Sequence, residues 1–362
     1  MLNIIWVLVV IYLGYMNNSN EIKDFIIQSI AQHPRDVSRL TAERFHLNRR
    51  TIVDYLNKLI GDGLLSAEGR TKARTYKLRT LVQESWILPV NAGMEEHAVW
   101  AQTAMPHLKG LKENLYSICQ HGFTEMVNNV IDHSESPRVG IELEKNAAEL
   151  RIRVQDFGIG IFEKIRTARD LHDPREALLE LSKGKFTTAP ERHSGEGIFF
   201  TSRMFDNFAI QSGELVYLAH ALKQDDWLFE FAKEPRIQGT RVHLSLSLFS
   251  TRTTQEVFDQ FSGIETGFSR THVPVALARY DGDKLVSRSQ ARRVLSRFEK
   301  FREVSLDFSG VPNIGQPFAD EIFRVFAIEH PEITITYSNA SDQIEKMIAW
   351  VRGDRGMLGP LL

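Results

Sequence analysis

Apolar residues recur with a helical period near the start of the chain and alternate with polar residues further on. The helical period begins at Glu21 and predicts three helices, the last of which ends at Gly61. The predicted elements are helices from about Glu21, at Val37–Phe45 and at Asn48–Ile60, then strands at Leu64–Ser66 and Thr75–Leu78. This order predicts a small domain of three helices and a hairpin over residues 18–80.

The middle of the chain mixes both periodicities. Helical spacing leads into the segment FTEMVNNVIDHS, the stretch Glu84–Gly93 has the composition of a linker, and Thr167–Arg192 is a long polar segment suited to a mobile lid. The predicted strands are Val139–Leu143 and Leu150–Val154 as an antiparallel pair, then Leu215–Leu222, Trp227–Phe231 and Thr240–Leu246. We expect one mixed α/β domain over residues 95–250.

From about Val273, amphipathic helices alternate with buried strands. The predicted order is helix Leu285–Phe301, strand Val304–Asp307, helix Ala319–His330, strand Ile333–Tyr337 and helix Ser341–Arg352. Such alternation is typical of helices packed on one sheet, so we expect a small α/β domain over residues 270–355.

Composition is that of an ordinary multidomain globular protein. The 362 residues exceed the roughly 100–200 residues of one domain, and we expect three domains in an α+β or α/β multidomain fold. A net charge of −2 gives no global sign of nucleic-acid binding. The single cysteine, Cys119, excludes an intrachain disulfide and suits a reducing cytosol, so a cytoplasmic location is expected.

The first sixteen residues, MLNIIWVLVVIYLGYM, carry no charged side chain. As a helix they would span about 24 Å, less than the hydrocarbon core of about 30 Å. They lack the basic start of a signal peptide and the flanking cations of a stop-transfer helix. Two interpretations stay open. We favour a natural start at Met16, and a weak membrane anchor comes next.

A local excess of positive charge follows the second predicted helix. From Arg49 to Arg79 there are eight basic residues against three acidic ones, a local charge of about +5. The candidate DNA contacts are Arg49, Arg50 and Thr51 at the start of the third helix and Arg70, Lys72 and Arg74 in the hairpin. Three helices and a hairpin resemble the winged helix-turn-helix family, which implies DNA binding. Protein docking is the alternative, because modules of that family serve both purposes.

Three polar residues on one helix face are the first candidates for a chemical site. Glu125, Asn129 and His133 are four positions apart, so a helix places them on one face. A carboxylate and an amide aligned in this way can hold hydrated magnesium and orient a water molecule. A solvent-exposed polar face is the alternative for such a pattern by itself.

Glycine-rich turns supply the other candidates. Asp156-Phe157-Gly158-Ile159-Gly160 follows a predicted strand, where a carboxylate can accept a hydrogen bond from the amine of adenine and the glycines permit close approach of the backbone. Gly195 and Gly197 precede a helix and expose N–H groups suited to phosphate. Lys185 and Thr187 in the polar segment are further candidate phosphate ligands, and Gly239-Thr240 begins the last strand of the domain.

The ordered set resembles the GHKL superfamily of gyrases, chaperones, sensor histidine kinases and mismatch-repair ATPases. The set comprises Glu125, Asn129, Asp156, Gly158, Gly160, Gly195, Gly197 and Thr240. The resemblance covers about Leu111 to Leu248 and implies an α/β sandwich, a mixed sheet with helices on one face. It also implies ATP and Mg²⁺ as ligands, with Asn129 on magnesium, Asp156 on adenine and the Gly195 segment on phosphate. Glu125 would be the catalytic base or a ligand of magnesium-bound water.

Some residues depart from the usual pattern of that superfamily. Ser194 stands where many members have glycine, and Glu196 and Phe199 replace small or aliphatic residues, which predicts a differently shaped phosphate loop. No two-helix unit with a phosphoacceptor histidine precedes the domain, and the register of His133 on its helix predicts a structural role for it.

The end of the chain resembles a STAS-like domain, the fold of anti-sigma-factor antagonists. The resemblance rests on VSLDFSGVPNIGQPFADEIFRVF, where Gly315, Gln316 and Pro317 occupy the positions comparable to the phosphorylated serine of that family and Ser309 lies earlier. The combined prediction is an ATP-binding regulator that couples nucleotide to DNA and to a protein partner. A second copy of the chain is a further candidate partner. An anti-sigma-type serine/threonine kinase and an ATP-hydrolysing dimer clamp are the alternatives.

Overall fold

The computed structural model describes residues 19–70, 73–186, 195–220, 229–231, 236–263, 267–279 and 284–353. The fold is mixed α/β, with helices and four separate sheets in these ranges. The chain divides into two compact units. Of the described residues, the first unit contains those up to Ser85 together with 142–152 and 246–250. The second contains those within 86–141 and 153–245 and those from Thr251 onward.

The first unit contains the three helices and the hairpin that the apolar pattern predicts. They are α1 (19–29), α2 (Val37–Phe45), α3 (Arg49–Gly61), β1 (Leu65–Glu68) and β2 (Thr75–Leu78), with β1 and β2 antiparallel. Ile26, Ile52 and Leu56 are fully buried at the centre. Asn48 caps α3, because its side-chain oxygen accepts the Thr51 N–H at 2.9 Å.

The largest sheet has seven strands in the order β3-β4-β5-β9-β6-β7-β8. Its strands are β3 (Val82–Pro89), β4 (Arg138–Lys145), β5 (Glu149–Asp156), β6 (Asn207–Gly213), β7 (Leu215–His220), β8 (Phe229–Phe231) and β9 (Ile237–Ser247). The linker predicted at Glu84–Gly93 is wrong over most of its length, because β3 forms the edge of this sheet. An edge strand pairs with only one neighbouring strand. The polar and apolar residues of β3 alternate only weakly, so the sequence pattern does not reveal this strand.

Six helices accompany this sheet. They are α4 (Glu96–Gln102), α5 (Glu113–His133), α6 (Ile161–Ala168), α7 (Glu176–Lys183), α8 (Gly197–Met204) and α9 (Thr254–Phe261). Helix α5 packs closely on α8, since a side chain at Gly122 would collide with the Phe205 ring. The polar stretch predicted at Thr167–Arg192 is partly wrong, because α7 within it is a buried helix, while residues 187–192 lie outside the described ranges.

The last part of the chain forms a parallel sheet of three strands in the order β12-β13-β14. Its strands are β12 (Arg270–Pro274), β13 (Glu303–Asp307) and β14 (Thr334–Ser338), preceded by the short pair β10 (Ser262–Gly263) and β11 (Gly267–Phe268). Its helices are α10 (Arg288–Leu295), α11 (Gln316–Asp320), a π-helical turn (Glu321–Phe326), α12 (Ala327–Glu329) and α13 (Asp342–Arg352). The predicted alternation of helices and strands is confirmed. Helix α10 is shorter than predicted: it begins after its N-cap Ser287 and ends at Leu295, because Ser296 leaves the helical conformation with ψ 126°.

Candidate functional site

One face of α5 lines a cavity of about 410 Å³. His121, Glu125, Asn129 and His133 follow one another at intervals of four residues, and all four lie in the cavity wall. The opposite face of α5 is apolar and buried, which fixes the rotation of the helix. The helical register therefore presents the predicted polar residues to a cavity.

Asn129 has a buried donor in this wall. Within the described residues its amide nitrogen, Nδ2, is buried and meets no hydrogen-bond acceptor. A buried amide without a partner is unfavourable by about 1–3 kcal/mol, so such groups usually mark a place where a ligand or water completes the bonding. His121 is similar: its Nε2 is buried without an acceptor or donor among the described residues, and burial lowers the pKa of the ring.

Asp156 lies at the carboxyl end of β5, in the wall of the same cavity. Only 5% of it is exposed, and its Oδ1 accepts the Gly158 N–H at 2.9 Å. Burial raises the pKa of this carboxyl group, while hydrogen bonds from Gly158 and Thr240 act in the opposite direction. The result is a buried carboxylate held by backbone donors and directed by its turn.

Gly239 and Thr240 bring β9 against this turn. A side chain at Gly239 would collide with the backbone and the carboxylate of Asp156, so glycine alone fits there, at φ 76°. The Thr240 hydroxyl accepts the Ile161 N–H at 2.9 Å and so joins β9 to the first residue of α6. Thr240 and Gly160 both line the cavity, whereas Gly158 does not line it and lies against the Ser134 backbone.

The Gly195–Gly197 turn closes another side of the cavity. Gly195 has φ 72°, and Gly197 is the first residue of α8. Both glycines line the cavity, together with Glu196 and Phe199, two of the residues that depart from the usual pattern of the resembled superfamily. Ser194, the third, lies outside the described residues.

The remaining wall is largely apolar. It contains Met126, Val130, Val154, Ile161, Ile165, Leu181, Phe186, Ile198, Phe200, Ile210, Val242 and Phe258. Lys164 is an added cation at the rim, and its Nζ donates to the His133 carbonyl at 2.6 Å. His121 could have been found from its position one turn before Glu125. No local pattern identifies Phe258, because α9 reaches the cavity only through the tertiary fold.

One of the predicted phosphate ligands, Lys185, is not brought to this wall. Lys185 points elsewhere: its Nζ donates to the Lys300 carbonyl at 2.8 Å and lies 4.9 Å from the centre of the Phe301 ring. Thr187 lies outside the described residues.

The predicted basic surface lies in the first unit. Arg49 and Arg50 are exposed in the first turn of α3, and Arg74 lies with its guanidinium carbon 5.2 Å from the centre of the Tyr76 ring. Arg70 is also exposed, and Lys72 lies outside the described residues. The side chains of Arg49, Arg50 and Arg70 are therefore accessible to a phosphate group from solvent.

Ser309 is ordered by a buried carboxylate at the end of β13. Its backbone N–H and its hydroxyl both donate to Asp307 Oδ1, at 2.9 Å and 2.8 Å, and Asn339 donates to the same atom at 3.0 Å. Although burial opposes ionisation, these bonds and His272 hold the pKa of Asp307 below its ordinary value. The loop after β13 is thus tied to the sheet, and Gln316 and Pro317 begin α11 beyond it.

Two kinds of feature are absent from the described parts of the chain. No group of three or more His, Cys, Asp or Glu residues there could hold a metal ion. None of the helices there has the length and apolar character needed to cross a membrane. The apolar segment 1–16 lies outside those parts.

Comparison with known proteins identifies one region. Residues 290–345 match the family model described as a STAS-like domain of unknown function (DUF4325). The match spans α10, β13, α11, the π-helical turn, α12, β14 and the first part of α13. It agrees with the predicted STAS-like domain and indicates a role in binding a partner or in regulation. The comparison with curated proteins found no match.

Proposed function

We propose that the chain is an ATP-binding regulator with a GHKL-type nucleotide site, a winged-helix DNA-binding module and a STAS-like partner-binding domain. The observation that carries the proposal is the convergence of four separated motifs on one cavity. Glu125 and Asn129, Asp156 and Gly160, Gly195 and Gly197, and Thr240 all line it. Residues more than one hundred positions apart in sequence thus form one wall.

The chemistry of the wall suits a nucleotide. Asp156 would accept a hydrogen bond from the exocyclic amine of adenine, and the apolar residues around it would cover the base. The glycine at position 239 lets the backbone of β9 approach the Asp156 carboxylate closely. N–H groups at the Gly195–Gly197 turn and at the start of α8 would bind phosphate.

Magnesium would share its ligands between protein and nucleotide. Magnesium is usually held by one or two protein oxygens, by substrate phosphates and by water. This agrees with a cavity in which the described residues form no metal cluster of their own and in which Asn129 supplies an amide. The oxygen of Asn129 would face the ion, and its buried Nδ2 would find an acceptor on a phosphate oxygen. The ion would offset the negative charge of the phosphates.

The flanking regions support regulation. Arg49 and Arg50, exposed at the start of α3, would contact DNA phosphates and base edges. The STAS-like match at residues 290–345 supports a protein partner for that region. Nucleotide can regulate either contact only if it binds one arrangement of the protein better than another.

Titration of the purified chain with ATP, with and without Mg²⁺, tests the proposal. Asn129→Ala should remove the magnesium-dependent part of the affinity, and Asp156→Asn should weaken adenine binding about tenfold or more, the loss of one charged hydrogen bond. Asn114→Ala is the matched control, because Asn114 lies on the same helix and donates to the Arg252 carbonyl outside the cavity. If both cavity variants bind ATP like the parent, the assignment of the site is wrong.

Hydrolysis is the second candidate activity, because the carboxylate of Glu125 lies against the glycine turn at Gly197. A carboxylate beside the phosphate-binding turn is placed to accept a proton from an attacking water. ATP labelled at the γ-phosphate separates the alternatives. Released phosphate supports an ATPase, label on the protein or its partner supports a kinase, and tight binding without either supports a sensor.

A further inference from the structure

Helix α7 is buried along its length, although it lies in a polar stretch of the sequence. Every residue from Ala177 to Lys183 is buried, and α7 packs on β12 and on the 3₁₀ turn Val275–Ala278. The Thr271 hydroxyl donates to the Lys183 carbonyl at 2.7 Å. The end of this helix is therefore joined to the last part of the chain.

Lys183 makes the first polar connection. Its side chain has no exposed area, and its Nζ lies 2.7 Å from Glu180 Oε1, 2.9 Å from the Arg293 carbonyl and 3.0 Å from the Ser296 carbonyl. An ammonium group has three N–H donors, so these three acceptors satisfy it. Burial lowers its pKa to about 8, with Glu180 acting in the opposite direction. At neutral pH the ammonium form is the one that binds these acceptors.

Arg297 makes the second connection, and it contacts the backbone. It is 5% exposed, and its guanidinium donates to the carbonyls of Glu180 at 2.8 Å, Gly184 at 3.0 Å and Lys185 at 3.2 Å. Its Nε also lies 2.9 Å from Glu180 Oε2. Only a planar group with several donors can reach three carbonyls and a carboxylate together, so lysine cannot replace it fully. Arg297 has a left-handed backbone with φ 66° and lies between the end of α10 and the 3₁₀ turn Phe298–Lys300.

The same segment forms part of the cavity wall. Leu181 and Phe186 line the cavity, and two of the three carbonyls that Arg297 binds, those of Gly184 and Lys185, lie between them in sequence. The backbone of Phe186 also lies directly under Gly195, where a side chain would collide with it. Arg297 thus holds residues that contact both the cavity and its glycine turn.

We propose that Arg297, in the STAS-like region, is a positioning residue for the nucleotide site: through the carbonyls of Gly184 and Lys185 it holds Phe186 and the Gly195 turn in their places. This inference rests on the proposed function. A partner that displaces Arg297 weakens nucleotide binding, and bound nucleotide weakens that partner by the same factor, as linkage requires.

Arg297→Ala and Arg297→Lys test the inference, with Arg292→Ala as the matched control. Arg292 lies on α10, and its side chain is exposed and bound to Glu321 at 2.7 Å, away from α7. The first measurement is amide hydrogen exchange at residues 181–186 and 195–200 without nucleotide. The second is the Kd for ATP with Mg²⁺. Thermal melting checks that each variant folds.

Arg297→Ala should raise exchange at both segments and weaken ATP binding about 5- to 150-fold, the usual range of coupling between sites. Arg297→Lys keeps the cation and should give a smaller change of the same sign. Arg292→Ala should match the parent in both measurements. If Arg297→Ala does not fold, Arg297→Lys carries the test by itself, since lysine keeps the cation but lacks the planar group that reaches the Gly184 and Lys185 carbonyls together.

Unchanged exchange in the Arg297 variants overturns the inference, and so does raised exchange with an unchanged Kd. A parent protein that binds no ATP overturns the proposed function instead. In that case the exchange comparison still decides whether Arg297 holds the segment.

Discussion

The carboxylate of Glu125 occupies the place where a side chain of Gly197 would stand. Glu125 belongs to the middle of α5, and Gly197 is the first residue of α8. The glycine at this position therefore leaves room for the carboxylate of a catalytic candidate beside the glycine turn. A side chain there would force Glu125 to shift.

Gly197→Ala should displace Glu125 and disturb the glycine turn. An added methyl group in a packed site is unfavourable by about 1–3 kcal/mol, so we expect both a lower free energy of unfolding and ATP binding weakened about tenfold. Denaturant unfolding and ATP titration measure the two effects. Gly140→Ala is the control, because a methyl group there makes only ordinary contacts with Gln155 and Phe157. Equal ATP affinity in the two variants would contradict the prediction.

ATP affinity should fall as the solution becomes acidic. Protonation of Asp156 removes the negative charge of the carboxylate that accepts the hydrogen bond from adenine. Burial raises the pKa of Asp156, so the fall should begin at a higher pH than an ordinary aspartate would give. Titrations across the acidic range measure this dependence. The Asp156→Asn variant should lose the pH dependence of ATP affinity that Asp156 causes. If this variant keeps the pH profile of the parent, Asp156 does not contact the base.

Protonation of His243 should destabilise the fold in mild acid. Burial, with Arg153 and Arg241 nearby, lowers its pKa from 6.5 to about 4. Between these values the unfolded chain binds the proton and the folded chain does not, so stability from this group is present above pH 6.5 and is lost as pH falls toward 4. Allowing for its partial exposure, the loss should be about 1–2 kcal/mol.

Urea unfolding of the parent and of His243→Gln across that range measures the contribution of His243. The parent should lose more of its free energy of unfolding than the variant as the pH falls. Parallel pH profiles for the two proteins would show that His243 binds its proton equally well in both states.

Arg49→Glu combined with Arg50→Glu should weaken any duplex affinity and reduce its dependence on salt. The slope of log K against log salt is negative, and each phosphate contact that is lost should reduce its magnitude by about 0.9. Binding measured at several salt concentrations gives the slope. Arg35→Glu is the control, since Arg35 is exposed in the same unit but lies outside the basic stretch 49–79. A slope that does not change in the double variant would remove DNA contact from the proposal.

Several elements followed directly from local pattern. Helix α2 begins and ends at Val37 and Phe45 as the apolar spacing predicts, and the register of α5 was readable because its polar and apolar faces repeat over many turns. Strand β3 and helix α7 were missed. Both depend on contacts with distant segments, namely β4 for the strand and the residues around Arg297 for the helix.

The sequence by itself determined many of the helices and strands, the spacing of Glu125 and Asn129 on one helical face, and the positions of the glycine-containing turns. These depend on the local period of the chain and on the conformations open to glycine. Only the tertiary structure decided that the four motifs share a cavity, that Phe258 closes it, and that Arg297 binds the segment carrying Phe186. Such contacts join residues far apart in sequence, and local periodicity carries no information about which distant surfaces meet.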